Sequence, residues 1–65
     1  MMTLDKAREL IATQVNLGSG YNRNSVRIIL AEIDKEHGQA GVDQLILEFS
    51  LAEVFGLQVG QKIIL

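Results

Sequence analysis

The sequence predicts an all-α fold, a small bundle of three main helices with a short fourth behind them. Three observations lead there. Apolar residues recur at three- and four-residue spacing in three separate stretches, glycine clusters fall between those stretches, and good capping residues stand at their starts.

The first stretch opens at Thr3, whose hydroxyl can accept a hydrogen bond from an otherwise unpartnered amide of the first helical turn. Leu4, Ala7, Leu10, Ile11 and Val15 then line one face of a helix to about Leu17, with Asp5, Lys6, Arg8, Glu9 and Gln14 between them. Gly18, Ser19 and Gly20 end it, because glycine takes the left-handed backbone that closes a helix.

Asn22, Asn24 and Ser25 are all suitable caps for a second helix that runs to about His37. Its apolar stripe is Val26, Ile29, Leu30 and Ile33, with His37 one turn further, and Ile28 lies off it. Apolar contact over more than half the circumference is the expectation for this central helix. Residues 38–41, Gly-Gln-Ala-Gly, read as a turn, and a third helix from Val42 to Phe49 buries Val42, Leu45, Ile46 and Phe49 while exposing Asp43, Gln44 and Glu48.

Ser50-Leu51-Ala52-Glu53 has the spacing of a capping box, which predicts a serine cap on a fourth helix of about five residues closed by Gly56. From Leu57 to Leu65 the pattern alternates and then turns aliphatic, with β-branched Val59, Ile63 and Ile64. That segment suits either a short C-terminal strand or an extended tail docked on the helices, and a strand would need a partner for its backbone.

Length bounds the rest. Residues 1–65 make one small helical domain with one thin core. Such a chain buries only about 60% of its unfolded surface, so it needs reinforcement. Without cysteine and with a single histidine, neither disulfides nor a structural zinc site can supply it. Alanine, valine, isoleucine, leucine, methionine, phenylalanine and glycine account for 36 of 65 residues. This is above the roughly 45–50% of an ordinary domain, and a homodimer that hides Ile28 and Ile63-Ile64-Leu65 is the expectation. No signal peptide and no membrane span is legible, which points to a cytoplasmic protein with no membrane partner.

Enzyme chemistry finds little material. His37 has Asp34 and Glu36 nearby, but no cysteine, second histidine or serine in a nucleophile setting accompanies it. Its place at a helix end suits a donor to the last carbonyls. The acids never adopt the spacing of a calcium loop, so no catalytic residue, metal ligand or cofactor is assigned.

Charge placement is more informative. Residues 1–17 balance, residues 18–31 carry only Arg23 and Arg27 for +2, and residues 32–65 carry −4, which together give the net −2. On the second helix the cations therefore stand at the positive end of the helix dipole and Asp34 and Glu36 near the negative end, against preference. A local rule broken without compensation marks a place where function is expected. The predicted binding site is Gly20, Tyr21, Asn22, Arg23, Asn24, Ser25 and Arg27, a polar interhelical loop that meets an anionic group of a protein partner. The expected function is a non-enzymatic binding or regulatory module.

The alternative is a DNA-binding regulator, in which Tyr21 would stack or touch phosphate. The helices around residues 38–41 have a helix-turn-helix outline. Leu51-Ala52-Glu53-Val54-Phe55-Gly56-Leu57 also resembles the first helix and turn of repressor-type helix-turn-helix proteins, with Ala52 and Gly56 matching. Two arginines and a pI near 5.1 disfavour nucleic acid, and Asp43 and Glu48 would repel a phosphate backbone.

Overall fold

A computed structural model of the chain describes residues 2–17 and 22–64. They form helices α1 (Leu4–Leu17), α2 (Asn22–Glu48) and α3 (Leu51–Phe55), with α1 and α3 both packed on α2. The radius of gyration, 10.3 Å, is close to the ~10.7 Å that compact chains of this length show, so the helices close on one another.

Thr3 caps α1 as its position predicts: its hydroxyl accepts the Lys6 amide at 3.0 Å, and its carbonyl accepts the Ala7 amide at 3.0 Å. Ala7 and Ile11 are fully buried, and Leu4, Leu10 and Val15 pack beside them at the edge of the core. At the far end of α1, the side-chain amide of buried Asn22 donates to the Gln14 carbonyl, one of the groups a helix end leaves without a partner.

The second and third expected helices are one element interrupted by one residue. Gly38 has φ 74° and ψ −174°, a conformation essentially restricted to glycine, and residues on both sides of it are helical. A four-residue turn over 38–41 does not form. Gly41 is instead buried in helix, where an added Cβ would stand 2.8 Å from the His37 Cβ and 3.1 Å from the Ile33 Cγ2. This glycine permits close approach, and Gly38 alone supplies the break.

Val26, Leu30, Ile33, Val42 and Leu45 are completely buried and Ile29 and Ile46 nearly so, which gives one core from the two halves of α2. Ile28, off the stripe, remains 52% exposed. His37 is exposed too, and its Nε2 lies 3.2 Å from the Met2 carbonyl oxygen rather than against the end of its own helix.

Among the described residues the helices therefore number three, and the five-residue helix after Ser50 is the third. Its entry differs from the expected capping box. Ser50 is left-handed, with φ 52° and ψ 43°, and its side chain makes no capping hydrogen bond. The carbonyl of Ser50 accepts the amides of Glu53 and Val54, both at 3.0 Å. An N-cap hydroxyl needs an extended backbone, which Ser50 lacks because it also ends α2, its amide donating to the Leu47 carbonyl at 3.4 Å.

Residues 57–64 contain no strand. Leu57 is buried in the core and Ile63 packs on it, so this segment docks on the helices, and a turn in which the Gln61 amide donates to the Gln58 carbonyl at 3.4 Å interrupts the expected extended run. Among the described residues no helix is long and apolar enough to cross a membrane.

Candidate functional site

Arg23 and Arg27 are one turn apart on α2 and so share a face. That face looks onto the chain beyond α3. The Arg23 Nε donates to the carbonyl of Phe55, the last residue of α3, at 2.8 Å. Arg27 donates to the Ile64 carbonyl and, at 3.2 Å, to the side-chain oxygen of Asn24. The misplaced charge at the start of α2 thus has a visible compensation in two main-chain carbonyls, one of them an exposed helix end. Carbonyls supply partial charge only, so both guanidinium groups keep a full positive charge without a carboxylate partner among the described residues.

Between these arginines and the docked tail lies an open cleft of about 360 Å³. Arg23, Arg27 and Lys62 contribute its cations, Gln58 and Gln61 its amides, and Leu57, Ile63 and Ile64 its aliphatic wall, with Gly56 at its edge. Among the described residues no carboxylate lines it. Asp34, outside the lining, pairs with Lys62 at 3.3 Å and neutralises part of the third charge.

The shape of the cleft depends on how the tail is tied down. The Asp43 carboxylate accepts the Gly60 amide at 2.8 Å and the Gln39 side-chain amide at 2.8 Å. These two donors, Gly60 first, hold the Asp43 carboxyl below the usual carboxylate range. Gln39 also donates to the Gln61 carbonyl at 3.0 Å. The tail is therefore fixed at residues 60, 61, 62 and 64, all against α2.

Of the residues read from sequence as a site, the structure brings Arg23 and Arg27 into the cleft. Asn22 is turned inward to α1, Asn24 orients Arg27 from outside the lining, and half-buried Ser25 is also outside it. Gly20 and Tyr21 lie outside the described residues. Lys62, Gln58 and Gln61 went unread because they are more than thirty positions away from Arg23 and Arg27 and share no motif with them.

The helix-turn-helix outlines have no counterpart among the described residues: the break at Gly38 is one residue, and no helix follows α3. His37 is not in the cleft, and no three His, Asp or Glu side chains among the described residues converge to hold a metal ion. Elsewhere, Arg8 bridges Glu48 at 2.9 Å and Asp5 at 2.7 Å, and these acids, Glu48 first, raise its pKa further. That cluster staples α1 to the end of α2 and leaves no cation free. No protein-family model, curated protein or solved structure matches the chain.

Proposed function

We propose that the protein is a non-enzymatic binding module that holds an anionic group of a partner in the cleft between α2 and the tail. The observation that carries this reading is the lining itself: among the described residues, three cations and no carboxylate around about 360 Å³, on a chain of net charge −2. Guanidinium groups already oriented by a carbonyl lose little further freedom when an anion arrives, which favours binding.

The test is a titration with acetate and with inorganic phosphate, followed through the amide shifts of residues 23–27 and 56–64. Saturable shifts on both sides of the cleft are expected, weakening as inert salt is added. Arg23→Gln with Arg27→Gln should remove them. Shifts that persist in the double variant, or that appear away from the cleft, would end the proposal.

Self-association is the second part of the reading, supported by the exposure of Ile28 at 52%, Leu47 at 69% and Ile64 at 72%. Sedimentation at high micromolar concentration should give a mass above 7.2 kDa. A clean monomer there removes it.

A further inference from the structure

The chemistry of the cleft wall narrows the class of anion, and the inference rests on the reading that the cleft binds anions at all. Its lining combines cations, Arg23 and Arg27 on α2 and Lys62 on the tail, with tail aliphatics, Leu57 buried, Ile63 half-buried and Ile64 72% exposed. At about 30 Å³ per water, the cleft has room for roughly a dozen waters, several times what a small inorganic anion displaces. A bare anion would satisfy the cations and leave the aliphatic wall wet. An anion carrying a hydrocarbon substituent covers both.

The charge count favours a single negative charge at the head. Asp34 already pairs with Lys62, while among the described residues Arg23 and Arg27 meet only main-chain carbonyls and the Asn24 side chain, so the guanidinium N–H groups not used there can serve a carboxylate. We infer that the cleft takes a carboxylate bearing a short aliphatic chain, its carboxylate between Arg23 and Arg27 and its chain against Ile63 and Ile64. A free aliphatic acid and the aliphatic C-terminal residue of a peptide share that chemistry.

The experiment measures dissociation constants of the intact chain for acetate, butanoate and hexanoate at fixed ionic strength, with N-acetyl-leucine as the peptide-end probe. Inorganic phosphate and hexylammonium serve as comparisons. Burial of each methylene should tighten binding about 2–4-fold, so hexanoate should bind at least about tenfold tighter than acetate. N-acetyl-leucine binding tighter than hexanoate identifies a peptide end as the source, and the reverse order identifies a free acid. Ile64→Ser, at an exposed position where folding is not at stake, should flatten the dependence on chain length. Arg27→Gln should weaken every acid in the series.

Acids of all lengths binding alike, or phosphate matching hexanoate, would each overturn the inference while leaving an anion cleft in place, whereas hexylammonium binding as well as hexanoate would show that charge is not recognised and would overturn the cleft reading too. Binding of no anion would overturn the cleft reading itself, so the two failures are distinct.

Discussion

Residues 4–17 and 22–48 are joined mainly by side chains that touch no water, whereas among the described residues beyond Gly56 only Leu57 is buried and the remaining attachment is largely polar. Ile11, Val26, Leu30, Ile33, Val42, Leu45 and Ile46 make the first region cohere. The tail is fixed by Asp43 on Gly60, Gln39 on Gln61, Asp34 on Lys62 and Arg27 on Ile64. Burial of a single large aliphatic contributes about 1.5–3 kcal/mol and carries no charge for salt to screen or pH to titrate. Exposed hydrogen bonds and ion pairs exchange a water partner for a protein partner with small net gain, and they respond to both. The helical body is therefore a scaffold, and the tail is a wall that can be loosened without unfolding it. The cleft between them has one rigid side and one adjustable side.

The largest effect should come from cutting into the body. Leu30→Ala removes a completely buried side chain and should cost about 2–5 kcal/mol in a denaturant melt, a large share of the stability of a domain this small. A loss below about 1 kcal/mol would mean that the cooperative unit is not the core described here.

Next is the break in α2. Gly38→Ala meets no atom within 4 Å, so its whole cost is the strained backbone, about 1–3 kcal/mol by thermal or denaturant melt. An alanine tolerated without loss would show that the two halves can rearrange, and the body would be less rigid than the comparison requires.

The same contrast decides what was legible beforehand. The buried stripes of α1 and α2, the Thr3 cap and the break at Gly38 follow from spacing and local conformation, and those are properties of the sequence itself. Ser50 shows where a local pattern fails: the serine-to-glutamate spacing is present, but ending one helix and beginning the next at one residue imposes a left-handed backbone. The arginine corner was visible as charges opposed to the dipole. Their partners, the carbonyls of Phe55 and Ile64, were not, because every residue has a carbonyl and only the folded chain selects among them.

A milder perturbation separates the tail from the body by pH. Because its folded-state pKa is depressed, the Asp43 carboxylate contributes stability that is fully present above the unfolded value, about 3.9, and is lost as pH falls through the folded value below it. Below that range the Gly60 amide should lose its protection, measured against the intrinsic exchange rate at the same pH, while amides of Leu30 and Ile33 keep theirs. Asp43→Ala should reproduce the exchange at neutral pH and remove its pH dependence. Simultaneous loss of protection at Gly60 and Leu30 would show that tail and body open as one unit.

The smallest effect belongs to the joint between the two regions. Ser50 holds φ 52° with a Cβ, a conformation glycine adopts without that steric cost, so Ser50→Gly relieves strain and at the same time gives the unfolded chain more freedom. The balance should be a gain of up to about 0.5–1 kcal/mol, read as a rise in the melting midpoint. Ser50→Ala keeps the strain and removes a hydroxyl that caps nothing, so it should change stability by less than about 0.5 kcal/mol, against the 0.5–2 kcal/mol lost when a true cap is removed. If alanine costs more than about 1 kcal/mol and glycine brings no gain, the hydroxyl holds the start of α3 after all. The joint would then be set by a side chain, and the passage from body to tail would begin one residue later, at Leu51.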